Sequence, residues 1–240
     1  MSLKVNVWPS DIYPVKAAEE IIRLLKIDYR QGNPVSIALS GGTTPKSVFQ
    51  QLRSFLQNEP DLFPFIRWFQ VDERNVPPED EQSNQKLIRQ NLFSDKIPHQ
   101  YGLYFVSVNN LNPAATASEY EIVLQTNLQC NNQQHPMIDL VLLGVGEDGH
   151  TASLFPECDW QDSHGRIFRE FWVEKLKTWR YSLTFDALLA SKKIVFLATG
   201  SKKAKVLRKV LELRASDIPA GRLTILRDTE WWLDSEAEPA

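Results

Sequence analysis

His150 follows Asp148 by two residues, across Gly149, at the end of the run Leu143-Gly144-Val145-Gly146-Glu147-Asp148-Gly149-His150. A histidine titrates near neutrality, so it can take a proton from water and return it. A carboxylate beside it fixes the tautomer and stabilises the imidazolium. Gly149 lets the backbone fold until residues two apart face one side. An isolated histidine in a turn is more often a cap than a base, so the case for His150 and Asp148 as a catalytic pair depends on what shares their site. His99, His135 and His164 have no such setting, and a single well-set histidine does not make a zinc site, so no metal is expected.

Four other segments carry groups suited to an anion. In Ser40-Gly41-Gly42-Thr43-Thr44-Pro45, Gly41 and Gly42 allow a sharp turn and a close approach to a ligand. Thr43 or Thr44 can cap the helix that follows, whose free amides and dipole make an anion site. A plain turn before a capped helix would be spelled the same way. Asp72-Glu73-Arg74 is either a solvated turn or a working one. In the second case Arg74 is a phosphate fork, while Asp72 and Glu73 accept sugar hydroxyls or position the arginine. Arg180 starts a strand-like run, and Lys203 falls in the first turn after Gly200, from where a lysine reaches a phosphate as a point charge.

The run from Gly144 to Gly149 also contains G-x-G-x-x-G, the dinucleotide fingerprint. That reading needs a helix that starts inside the glycines and runs for several turns. Here Pro156 arrives after Thr151-Ala152-Ser153-Leu154-Phe155, and the unit is not the first in the chain. Nicotinamide binding is disfavoured, and no cofactor is predicted.

These loops gain meaning from the elements around them. Leu3–Trp8 alternates as a strand does, and Ile12, Val15, Ala18, Ile22 and Leu25 then recur at helical spacing. Val35–Leu39, Phe65–Val71, Tyr104–Val108, Ile138–Leu143 and Ile194–Ala198 read as further strands, and Leu223–Leu226 as one that closes the sheet. Helical segments follow, starting near Pro45, after Ser83, at Asn112-Pro113 and around Ala204. Repeated strand–helix alternation predicts an α/β fold, a Rossmann-like three-layer sandwich with a mostly parallel central sheet and helices on both faces. Right-handed crossovers put the loops after the strands on one edge, where such folds bind ligands. Glu157–Leu176, with four aromatics and no clean period, is open between strand and irregular structure.

At 240 residues, 42% hydrophobic and 24% charged, the chain suits one α/β domain spanning 1–240, with an acidic end from 234 to 240 expected to fray. A net charge of −3 and no basic stripe speak against nucleic acid. No stretch has the apolar length of a membrane span, and the opening MSLKVNVWPSD lacks a signal-peptide pattern. Two cysteines form no framework, which fits a reducing, cytoplasmic setting. A monomer is the default expectation.

Taken together, SGGTTPKSVFQQL (40–52), DERNVP (72–77) with SN (83–84), DLVLLGVGEDGHTASLFPE (139–157), RYSLTF (180–185), FLATGSKKAKVL (196–207) and the closing IPAGRLTILRDTEWWLD resemble the 6-phosphogluconolactonase family, within the larger glucosamine-6-phosphate isomerase/deaminase-like group. The resemblance implies hydrolysis of a small phosphosugar lactone, 6-phospho-D-glucono-1,5-lactone, to 6-phosphogluconate without a cofactor. It implies His150 as the base with Asp148 near it, and Gly42, Thr43, Arg74 and Lys203 around the phosphate. Arg180 matches a basic position at the site, and Asp72 and Glu73 match an acidic pair. Two departures affect local loop shape: the family often has Lys-Pro-Pro where this chain has Leu176-Lys177-Thr178-Trp179, and Ser182 replaces a usual threonine. The sibling deaminases typically follow DGH with a run containing Asn-Glu-Pro and carry tyrosine at the place of Arg74. A non-catalytic phosphosugar-binding protein is the remaining alternative.

Overall fold

The computed structural model describes all residues except 1, 30–31, 33, 60, 94–101, 131–135 and 240. The elements run β1 (Leu3–Trp8), α1 (Tyr13–Tyr29), β2 (Val35–Leu39), α2 (Thr43–Gln57), β3 (Ile66–Gln70), β4 (Asp72–Arg74), α3 (Asn84–Leu92), β5 (Leu103–Tyr104) and α4 (Pro113–Asn127). After these come β6 (Gln129–Cys130), β7 (Pro136–Met137), β8 (Leu140–Leu143), β9 (Phe168–Val173), β10 (Thr178–Leu183), α5 (Phe185–Ala190), β11 (Lys193–Ala198), α6 (Ala204–Leu207), α7 (Pro219–Leu226) and β12 (Thr229–Asp234). Among the described residues, seven strands form a sheet in the order β1-β12-β11-β8-β2-β3-β5, parallel at every pairing.

Residue type explains the layering. β8 reads Leu-Val-Leu-Leu, and its side chains alternate between two apolar clusters: Leu140 and Leu142 meet α1, α2 and α3, while Val141 and Leu143 meet the layer built from α4 to α7. A strand buried on both faces has no polar alternation, as expected of a central parallel strand. The predicted α/β sandwich, with a mostly parallel sheet and helices on both faces, is therefore the observed fold.

β2 and β8 are neighbours in the sheet. From β2 the chain moves outward to β3 and β5, and from β8 it moves the opposite way to β11 and β12. The loops after β2 and β8 consequently part company and leave a crevice between them, the switch point where open α/β sheets bind ligands. A second sheet, β4-β10-β9, is antiparallel and stands beside this crevice, with Arg180 paired to Arg74 in register.

Three expectations are corrected. Leu223–Leu226 belongs to α7, which Pro219 starts and which buries Ala220, Leu223 and Thr224 at helical spacing; β12 supplies the strand instead. The strand expected over Tyr104–Val108 shrinks to β5, because the Val106 amide is taken by the Gln70 side chain at 2.7 Å rather than by a strand neighbour. The acidic end is held rather than frayed at its start: Asp234 is buried, and its Oδ1 accepts from the amides of Gly200 at 3.0 Å and Ala237 at 2.9 Å. Within the uncertain Glu157–Leu176 stretch, β9 forms and pairs with β10.

Candidate active site

α2 starts without a side-chain cap. Its N-cap is Gly42, at φ +111°, and Thr43 and Thr44 lie inside the first turn. The expected threonine cap is therefore absent; Thr44 Oγ1 instead bonds Thr199 Oγ1 at 2.7 Å. The first-turn amides of a 15-residue helix are left facing a cavity of about 180 Å³ lined by residues 40–45, Arg74, Asn84, Gly146, His150 and Lys203. Uncapped amides backed by the helix dipole, with two cations opposite, suit an anion. A Cβ on Gly41 would come within 1.8 Å of Asn84 Oδ1, so only glycine lets this turn pass α3.

His150 forms the boundary between this cradle and a wider cavity of about 490 Å³. After β8 the chain makes a tight turn rather than a crossover helix, which removes the dinucleotide reading. Gly146 N donates to His150 O at 2.8 Å, and Gly149 turns at φ +88°. The fold of this turn sets His150 Nδ1 2.6 Å from Asp148 Oδ1. An ionised carboxylate only accepts, so Nδ1 carries a proton, and in the neutral tautomer this leaves Nε2 as the acceptor. Burial alone would raise the Asp148 carboxyl, but hydrogen bonds from His150 and Lys175 outweigh it and hold the group well below the usual carboxylate range. Phe155 packs under the imidazole, ring centroids 4.3 Å apart.

The basic residues converge as expected. Arg74, Arg180 and Lys203 line the wider cavity with His150, although they come from β4, β10 and the turn after β11. Among the described residues, none of the three has a carboxylate partner within ion-pair distance. Burial, and then the neighbouring Arg74 charge, lower the Arg180 guanidinium from its ordinary value, against the pull of Asp72 and Glu73. Three cations held together, with the Asp72 and Glu73 carboxylates near but not ion-paired to them, suit an anion.

The acidic pair divides. Asp72 lines both cavities and accepts from Ser153 Oγ at 2.7 Å. Glu73 is not a group for sugar hydroxyls. It is 1% exposed, and its oxygens accept from the amides of Arg74 (2.8 Å), Asn84 (2.7 Å) and Gln85 (2.7 Å) and from the side chains of Gln70 (2.8 Å) and Ser83 (3.2 Å). Glu73 ties the start of α3 to β4 and so holds the Arg74 backbone.

Two residues at the site went unnoticed in the sequence. Asn84 is fully buried against the cradle; its Nδ2 donates to Asp72 O at 2.9 Å, and its Oδ1 has no partner among the described residues. It lay inside a matching motif but showed no chemistry of its own. Lys175, on the turn between β9 and β10, bonds Asp148, a contact hidden by a separation of 27 positions in sequence. His164 sits at the surface beside Asp162 (3.0 Å) and Asp159 (3.8 Å) and lines neither cavity; His99 and His135 lie outside the described residues.

Known proteins are similar to this chain in sequence and fold. Residues 12–232 match the family model described as glucosamine-6-phosphate isomerases/6-phosphogluconolactonase. The 6-phosphogluconolactonase of Nostoc sp. is 31% identical, with 99% of this chain and 98% of that protein covered. A solved 6-phosphogluconolactonase from Trypanosoma cruzi superposes with a TM-score of 0.83 at 29% identity, covering 99% of this chain and 97% of that one. A monomeric glucosamine-6-phosphate deaminase, at 21% identity and a TM-score of 0.76 over 99% and 98% of the two chains, shares the fold. A family match over residues 12–232, together with a relative 31% identical over nearly the whole length, means that the chain belongs to the glucosamine-6-phosphate isomerase/6-phosphogluconolactonase family.

Proposed function

We propose that this chain, acting as one domain, hydrolyses 6-phospho-D-glucono-1,5-lactone to 6-phosphogluconate, with His150 as general base. The observation that carries the reading is the position of His150, locked to Asp148 and bordering both the anion cradle and the wider cavity. The phosphate docks on the amides of Gly41, Gly42 and Thr43, and Arg74 and Lys203 balance its charge. The lactone ring then extends past His150 toward Arg180 and Asp72.

His150 Nε2 removes a proton from water as the water oxygen bonds to the lactone carbonyl carbon. The tetrahedral oxyanion collapses, the bond to the ring oxygen breaks, and that oxygen takes the proton back from the imidazolium. Base assistance of this kind supplies about 10²- to 10⁴-fold. Asp148 keeps the tautomer correct and stabilises the transient cation. The lactonase rather than the deaminase reading is supported by Thr151-Ala152-Ser153-Leu154-Phe155-Pro156 after the histidine and by Arg74.

The test is an assay coupled to 6-phosphogluconate formation, corrected for spontaneous opening of the δ-lactone. Wild-type protein is expected to exceed the spontaneous rate, and folded His150→Ala to fall close to it. Full activity in that variant would remove His150 from the mechanism. Ammonia released from glucosamine 6-phosphate, or tight phosphosugar binding without turnover, would overturn the lactonase assignment.

A further inference from the structure

The carboxylate of Asp148 serves two claimants. Oδ1 accepts from His150 Nδ1 at 2.6 Å and from the His150 amide at 3.1 Å, while Oδ2 accepts from Lys175 Nζ. Lys175 arrives from the 3-10 turn Glu174–Leu176 that closes the β9–β10 hairpin. Its ammonium also lies 3.4 Å from Glu157 Oε1 and 4.4 Å from the centroid of the Phe155 ring. That same ring packs on the His150 imidazole. A lysine bound to two carboxylates and one ring face is held in place, and Lys175 lines the wider cavity beside His150.

We infer that Lys175 is a positioning residue that sets the proton affinity of His150 through Asp148. The inference rests on His150 being the base. A carboxylate on Nδ1 does two things to an imidazole. It fixes ring and tautomer, which a base needs, and it stabilises the imidazolium, which leaves less free base at neutral pH. An ammonium on the far carboxylate oxygen preserves the first effect and offsets the second. Glu157 modulates the balance by drawing on the Lys175 charge. The other charged or titratable groups facing the cluster are Glu147 in the same turn, Asp72 and Arg74 on β4, Arg180 on β10, Lys203 after β11, and Cys158 beside Glu157. None of these hydrogen-bonds Asp148 or His150, so a change at position 175 reads the coupling itself.

The experiment follows the ring protons of His150 by NMR as pH is varied, in the full chain without substrate, with the resonance assigned by its loss in His150→Ala. Lys175→Met is expected to raise the His150 midpoint by about one pH unit, as expected for loss of a nearby charge. Lys175→Arg should keep it near wild type, and the acid limb of kcat/KM should move with the ring. Glu157→Gln should lower the midpoint, because the ammonium is then no longer shared. A midpoint unmoved or lowered by Lys175→Met overturns the inference, as does lost activity without any shift. Should Lys175→Met fail to fold, Glu157→Gln decides: no change, or a rise, overturns it. The titration needs no turnover, so a chain without lactonase activity would sink the proposed function and leave this coupling separately readable.

Discussion

His150 Nδ1 lies 2.6 Å from Asp148 Oδ1, so the nitrogen that faces away from Asp148 is the one left to accept a proton from water. Asp148→Asn removes the charge and lets an amide oxygen or amide NH face the ring, so the tautomer is no longer dictated. The expected result is a fall in kcat of about 10²- to 10⁴-fold with little change in KM, read by steady-state kinetics.

The same carboxyl predicts a pH dependence of stability. Asp148 is held below its ordinary value in the folded state, so its contribution is present above about pH 4, the value of an unfolded aspartate, and is lost as pH falls toward the folded value. Wild type should exceed Asp148→Asn in urea melts at pH 7, and the difference should shrink at pH 3. Partial exposure keeps the effect modest.

Gly146 is required by the pair it faces. A Cβ there would lie 2.1 Å from His150 Nδ1 and 2.6 Å from Asp148 Oδ1. Gly146→Ala is expected to part the two side chains and cut kcat by about the same 10²-fold or more as removing the aspartate, since it acts on the same contact. Circular dichroism should report an intact fold.

Arg74 and Lys203 line the cavity with the α2 amides and have no carboxylate ion-pair partner among the described residues. Replacing either with alanine removes a charge-assisted contact and should raise KM about 10- to 100-fold. The loss should exceed that in kcat, and Arg74→Lys should recover only part of it, because an ammonium lacks the planar fork. Inorganic phosphate, tested as a competitive inhibitor, should weaken in parallel.

Glu73 has a structural task. Glu73→Ala would strand three backbone amides and two side-chain donors in a buried site. Destabilisation of about 3 kcal/mol or more is expected, measured as a lowered urea midpoint, with a rise in KM as the Arg74 backbone loses its anchor.

The sequence by itself determined the layers and most of the chemistry-bearing loops. The apolar run Ile138–Leu143 reads as a central strand and forms one over Leu140–Leu143, and Ser83 and Asn112 cap their helices as expected, accepting from Lys86 N and Ala115 N. Asp148-Gly149-His150 was legible because its groups are local: two residues apart, they meet through one turn. Glu73 stayed open between two roles because a carboxylate is spelled alike whether it greets a sugar or positions a neighbouring arginine, and only its five donors tell the difference. Tertiary structure alone decided that the loops after β2 and β8 are neighbours, that Arg74 stands in register with Arg180, and that Lys175 reaches Asp148. Those relations depend on strand order and hairpin pairing between distant segments, and local propensity carries no information about which strand will lie beside which.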